Sequence, residues 1–331
     1  MRRNLEESVV VITGASSGIG RATALAFAKR GASVVATARR EQALREVVAE
    51  CEGYGARAMA VGADIRSEEA VRAVAALALQ AFGRIDVWVN NAAVSAYGRF
   101  EGIPVDTFRQ VIETNLFGYV NGARAVLPVF REQGGGVLIN VSSIDATIGQ
   151  PFASPYTISK WAIRGLSTAL REELWGENID VCTVLPASID TPIFQHAANY
   201  TGQGVQAMKP VVNAGRVAKA IVRLAERPKR ETFVGFAGRL SAIEKVFLPR
   251  LVERLAARKV RKEQFAAAQA AITDGAVFSP MEGWTGVSGD WKVPTATGRL
   301  RRAMKASAAV AVPAAAAGWW LLRPREVHPA N

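Results

Sequence analysis

Tyr156 and Lys160 stand four residues apart in the stretch YTISK, a spacing that puts both side chains on one face of a helix. A phenol with a reference pKa of ~10 is a poor base at neutral pH. An ammonium one helical turn away, together with the positive charge of an oxidised hydride carrier, favours the phenolate and brings that pKa toward the working range. Tyr156 is therefore a candidate proton donor and acceptor, with Lys160 tuning it. Moving a proton on or off an oxygen is half of a carbonyl–alcohol interconversion, and the other half needs a hydride carrier.

A site for such a carrier is legible in TGASSGIG, residues 13–20, which follows an apolar run and opens an amphipathic one. Gly14, Gly18 and Gly20 stand where a tight turn lets backbone amides and a helix N-terminus approach a pyrophosphate, an approach that a Cβ would block. Ser16, Ser17 and Ile19 complete the turn as candidate contacts.

The elements that must hold these residues follow from hydrophobic patterning. Short β-branched runs at 8–12, 33–37, 57–61, 85–89, 136–141, 179–185 and 232–236 alternate with longer amphipathic segments. Continuous apolar strands imply burial on both faces. The pattern predicts a Rossmann-type, doubly wound parallel sheet of about seven strands with helices on both faces. That domain spans residues 1–237. Beyond it, 238–272 reads as basic amphipathic helices, with Leu240, Ile243 and Phe247 on one stripe and Pro249 opening a second helix. Residues 273–298 read as a connector and 299–331 as an Ala-rich hydrophobic tail.

Further landmarks stand in order along the chain: Asp64 and Ile65 after the third strand, NNAA at 90–93, Asn115, Ser143, YTISK, and PASIDT at 186–191. With TGASSGIG they resemble the short-chain dehydrogenase/reductase family over roughly residues 8–237. The resemblance implies catalysis by Asn115, Ser143, Tyr156 and Lys160. Ser143, thirteen residues before Tyr156, would hydrogen-bond the substrate oxygen, with Ser142 as the alternative. Asn115 would hold a water behind the lysine, and Lys160 would also bind the nicotinamide ribose. Asp64 would accept from the adenine amino group. Asn91, Ala92, Pro186, Ala187 and Ile189 would line the coenzyme, and Thr191 would hold the carboxamide, presenting the pro-S hydride. The sequence departs from the family pattern in having Ala93 and Ala187 where glycine is usual.

A carboxylate at the end of the second strand would accept both ribose hydroxyls of NAD and repel a 2′-phosphate. Here Ala38 follows Thr37 and precedes Arg39 and Arg40, which offer cationic donors and no acid. NADP(H) is the expected coenzyme, with Arg39 the main contact. Segments 94–100, 149–154 and 188–210 would border the nicotinamide. They carry Tyr97, Phe100, Phe152, Ile193, Phe194 and Met208, which make either an apolar substrate pocket or ordinary core.

The formal charge of +12 is concentrated: residues 209–262 hold 15 Lys and Arg against 4 Asp and Glu, whereas residues 1–208 hold 19 against 20. That asymmetry argues for a local basic surface and against a nucleic-acid-binding catalytic domain. Two cysteines and two histidines at unrelated spacings predict neither a disulfide framework nor a metal site. The N-terminus runs into VVVI without room for a signal-peptide core, so a cytoplasmic protein is expected. Residues 306–322 are uncharged and flanked by basic residues, with Trp319 and Trp320 at interfacial positions. They read as a membrane anchor or interfacial helix on the cytoplasmic face, or alternatively as a soluble tail covering a groove or dimer partner. The expected activity is hydride transfer between NADP(H) and a small carbonyl or alcohol substrate. The competing reading is a catalytically silent NADP(H)-binding sensor or membrane scaffold. Relatives that pair through helices beside YTISK lead to an expected homo-oligomer.

Overall fold

The computed structural model describes residues 4–235 and 246–291, which belong to one compact unit. Seven strands form the sheet: β1 Val9–Thr13, β2 Ser33–Ala38, β3 Ala58–Gly62, β4 Val87–Asn90, β5 Gly136–Val141, β6 Ile179–Pro186 and β7 Glu231–Val234. Their order is β7-β6-β5-β4-β1-β2-β3, every pairing parallel. The expected fold and all seven expected strands are present, because runs such as VVVIT and GVLINV are buried at every position.

Helices cover both faces: α1 Gly18–Ala28, α2 Glu41–Glu52, α3 Glu68–Phe82, α4 Val105–Ile112, α5 Gly118–Glu132, α6 Ser154–Glu173 and α7 Ala214–Glu226. One core joins Phe27 of α1, Leu44 and Val47 of α2 and Val217 and Ile221 of α7 to the sheet. The other joins Val71 and Val74 of α3 to Val126 and Phe130 of α5. A buried polar ladder crosses the sheet, Trp88 Nε1 donating to Asn90 Oδ1, Asn90 Nδ2 to Asn140 Oδ1, and Asn140 Nδ2 to Ser167 Oγ. Each partner satisfies another, as burial requires. Strand order reverses between β1 and β4, and a crevice opens beyond their C-terminal ends, the place where open α/β sheets bind ligands.

A further helix, α8 Pro249–Glu263, begins at its proline as expected. The expected helical continuation to residue 272 is corrected: Phe265–Gln269 is a strand, paired antiparallel with Gln203–Val205. An alanine-rich run has helix propensity, but an available strand edge overrides it. Leu240 and Ile243 of the expected stripe, and the expected membrane segment 306–322, lie outside the described residues. Among the described residues no helix is long and apolar enough to cross a membrane.

Candidate active site

The turn after β1 is built as its glycines require. Gly14 and Gly18 adopt φ of 67° and 55°, values costly for residues with a Cβ. A Cβ on Gly14 would lie 2.6 Å from Ala92 Cα, and one on Gly20 would collide with the Gly14 carbonyl. Thr13 Oγ1 accepts from the amides of Asn91 and Ala92, while Asn91 Nδ2 donates to the carbonyls of Thr13 and Gly14. The loops after β1 and β4 are thus locked together around the crevice.

One cavity of about 250 Å³ is lined by Gly14, Ser16, Ser17, Gly18, Ile19, Arg39, Arg40, Asp64, Ile65, Asn91, Ala92, Ser143, Tyr156, Lys160, Pro186, Ala187, Ile189 and Thr191. Most residues anticipated from sequence therefore share one space. Three sit elsewhere. Gly20 is beneath the turn, Asn115 is wholly buried, and Thr37 lies at the end of β2 with a buried hydroxyl that has no hydrogen-bond partner. Ala187 presents its Cβ to Gly235, where a second Cβ would stand only 2.7 Å away. The missing side chain at 235 makes room for the one gained at 187.

Ser143 caps the short turn Ile144–Ala146. Its hydroxyl donates to Asp145 Oδ2 at 3.1 Å and accepts from the Asp145 amide at 3.1 Å. Ser142 instead donates to the Lys160 carbonyl, 2.8 Å away. Helix α6 carries Tyr156 and Lys160, and the Lys160 ammonium sits 5.3 Å from the Tyr156 ring centroid. Lys160 Nζ donates to Val141 O at 3.0 Å.

Burial dominates the electrostatics of the pair. Burial pushes the Tyr156 phenol well above its ordinary value, and the Asp145 carboxylate adds to the rise. Burial also brings Lys160 from 10.5 down to about 7, against the pull of Asp145. Between these two side chains desolvation outweighs the lysine's charge. Asp145 was not anticipated. It is only part-exposed, and burial raises its carboxyl to about 6, opposed by its bond to Ser143 and by Lys160. The sole sequence signal was a carboxylate two residues beyond a candidate serine.

Asn115 lies in a π-helical turn, Glu113–Phe117, between α4 and α5. Its side chain exchanges bonds with both backbone groups of Val94 and donates to Ser159 Oγ at 3.0 Å. The amide pins the loop after β4 to the catalytic helix.

At the other end, burial raises the Asp64 carboxyl, but bonds from the Arg66 side chain and amide outweigh this and hold it below its ordinary value. Arg39 donates to the carbonyls of Ala276 at 2.6 Å and Phe278 at 3.2 Å. Arg40 donates to those of Met281 and Gly283, both at 3.0 Å, and to the hydroxyls of Ser16 and Ser17. Burial lowers both guanidinium pKa values, though each stays charged.

Of the candidate substrate residues, Tyr97, Ile193, Phe194 and Met208 line the cavity. Phe152 packs edge-on against Phe265, 5.4 Å between centroids, while Phe100 is exposed and pairs with Phe108. Two buried glutamines were missed: Gln150 Nε2 donates to Gln264 Oε1 at 2.8 Å, and both line the cavity. Among the described residues no His, Cys, Asp and Glu cluster could hold a metal.

The sequence profile described as short chain dehydrogenase matches residues 8–201. The chain is 40% identical over 257 residues to "Uncharacterized oxidoreductase YxnA" of Bacillus subtilis, covering 76% of this chain and 72% of that protein. Two solved structures share the fold. A short chain dehydrogenase/reductase from Burkholderia phymatum in complex with NAD has a TM-score of 0.67 at 24% identity, over 75% of this chain and 97% of that one. A short chain dehydrogenase from Mycobacterium paratuberculosis bound to NAD has a TM-score of 0.62 at 28% identity, over 70% and 97%.

Proposed function

The chain belongs to the short chain dehydrogenase family, and from that premise we propose that it is an NADP(H)-dependent oxidoreductase interconverting a carbonyl and an alcohol on a small, largely apolar substrate. The observation that carries the reading is one cavity holding both the glycine turn and the Ser143, Tyr156 and Lys160 side chains. The cradle fits a dinucleotide: its glycines leave no room for a Cβ, and the helix N-terminus behind them faces the cavity. Gly14, Ser16, Ser17, Gly18 and Ile19 would hold the pyrophosphate, Asp64 and Ile65 the adenine end, and Asn91, Ala92, Pro186, Ala187, Ile189 and Thr191 the nicotinamide end. The bound coenzyme supplies or accepts a hydride.

The chain's own groups handle the proton. Tyr156 donates its phenolic proton to the substrate oxygen in reduction and recovers it in oxidation. Ser143 donates a hydrogen bond to the same oxygen once substrate replaces Asp145 as its acceptor. Lys160 returns positive charge beside the phenolate, and Asn115 fixes the loop and helix against which these groups are set. A phenol that holds its proton is ready to donate it when a carbonyl is reduced.

The NADP(H) preference rests on Arg39 and Arg40 in the cavity wall, with Ala38 where a carboxylate would select NAD. The NAD bound to the Mycobacterium paratuberculosis neighbour favours the alternative coenzyme, NAD(H). Comparing kcat/KM for NADPH and NADH with a panel of aldehydes and ketones tests both levels: a preference for NADH overturns the coenzyme assignment, and no turnover of any carbonyl overturns the activity. Exposed Ile158 and Trp161 on α6 support self-association through that helix, for which light-scattering mass is the check.

A further inference from the structure

Residues 273–291 form no long helix or strand, so their backbone groups must find partners elsewhere. They find them on the elements that build the crevice. Ala276 N donates to His196 O at 2.7 Å, and Gly18 N, at the start of α1, donates to Gly286 O at 3.0 Å. Arg21 Nη1 donates to Thr285 O at 2.9 Å. Arg39 and Arg40 take up four more carbonyls, from Ala276, Phe278, Met281 and Gly283. The far end is held by Asp190, a buried carboxylate between Ile189 and Thr191. It accepts from Ser288 Oγ at 2.7 Å and from the amides of Gly289 and Trp291 at 3.0 Å. Trp291 Nε1 adds a bond to Thr191 O, and its ring meets Phe194 edge-on at 5.6 Å.

The fit is close. Gly275 has φ of 52°, and a Cβ there would strike the His196 carbonyl; a Cβ on Gly289 would strike the Thr191 carbonyl. Ala276, Pro280 and Met281 line the same cavity as Gly14, Arg39 and Asp64. The segment is therefore a wall of the crevice and lies beyond residues 8–201, the span matched by the family profile.

We propose that residues 273–291 are a coenzyme strap, which encloses the phosphate-rich half of the dinucleotide and must release Arg39 and Arg40 before the coenzyme can exchange. The inference rests on the dinucleotide reading of the crevice. It assigns Arg40 a second duty: all its donor nitrogens already serve strap carbonyls or the Ser16 and Ser17 hydroxyls. Arg39 keeps donors to spare for a 2′-phosphate. A phosphate on Arg39 would hold in place the side chain that grips the Ala276 and Phe278 carbonyls, so coenzyme and strap order one another. Asp190 is a positioning residue in this scheme, tying the strap to the strand that carries Thr191.

Hydrogen–deuterium exchange on the full chain, with and without NADPH, tests the proposal. NADPH should slow exchange at 14–20 and, by about tenfold or more, at 276–289, since a seated strap exchanges only through opening. Protection at 14–20 with unchanged exchange at 276–289 overturns the strap. No protection at 14–20 overturns the coenzyme reading and the strap with it. Stopped-flow release of NADPH provides an independent measurement. Gly289→Val, which unseats one end, and Ser288→Ala, which removes one bond to Asp190, should speed release by about tenfold and severalfold respectively, as lost hydrogen bonds raise the open population. Release at the unaltered rate in both variants overturns the gating.

Discussion

Replacing Asp145 with asparagine should make the protein more stable at pH 8 and leave it nearly unchanged at pH 4. Burial raises the carboxyl from the ordinary 3.8 to about 6. An acid that holds its proton more tightly when folded costs stability as pH climbs from its unfolded to its folded pKa. The protein therefore carries no penalty from this group below about pH 3.8 and the whole penalty above about pH 6. At about 1.4 kcal/mol per tenfold, the whole amounts to about 3 kcal/mol. The cavity reaches Asp145, so water screens part of it, and about 1–3 kcal/mol is the expected gain. Lys160, which faces the carboxylate and titrates near 7, complicates neutral pH; at pH 8 it is mostly neutral and the carboxylate acts alone. The asparagine can still accept from Ser143 and donate to it, preserving the local bonds. Urea denaturation of both proteins at pH 4 and pH 8 is the assay. A gain that does not grow with pH, or a loss at pH 8, would refute the claim that burial of this charge outweighs its partners. The same substitution removes the largest charge opposing the Tyr156 phenolate. The acidic limb of the rate of alcohol oxidation should then move to lower pH.

Tyr156→Phe keeps the ring and loses the proton, so kcat/KM should fall by about 10²–10⁴ while NADPH titrated by fluorescence binds as before; retained turnover in the folded variant removes the tyrosine mechanism. Gly20→Ala drives a Cβ into the Gly14 carbonyl and the Asn91 amide, and should cost about 1–3 kcal/mol in thermal or chemical denaturation, together with coenzyme affinity. Asn90→Ala strips the partner from Trp88 Nε1 and from Asn140 Oδ1 in the sheet interior. The two groups left unsatisfied should lower stability by about 2–4 kcal/mol, with no change in NADPH to NADH preference.

What the sequence made legible depended on how locally each feature was determined. The strands could be read because a parallel strand covered on both faces must be apolar along its length, and GVLINV or VVVIT has few other uses. The glycine turn could be read because its backbone conformation and close contacts exclude side chains, and Gly14, Gly18 and Gly20 record that exclusion directly. Features set by distant partners were not legible. FAAAQ carries no strand signal; it is extended because Gln203–Val205 offers it an edge. Arg39 and Arg40 announced an affinity for oxygen, but nothing in a charged pair says that backbone carbonyls more than two hundred residues later supply it.

The Tyr156–Lys160 pair is the more instructive case, because spacing settles its proximity and leaves its electrostatics to the surroundings. Four residues on a helix do place the ammonium beside the phenol. Spacing, however, reports proximity and not depth. Depth acts with opposite signs on the two groups, raising the acid and lowering the base, so each step inward weakens the cation that was to do the tuning. A buried Tyr–Lys pair by itself thus leans toward two neutral groups. Charge must be restored by a third party, and the Asp145 carboxylate supports the lysine while opposing the phenolate. The protonation state of this site is consequently a matter of which charge lies nearest the phenol, and Asp145 is the side chain that opposes the phenolate.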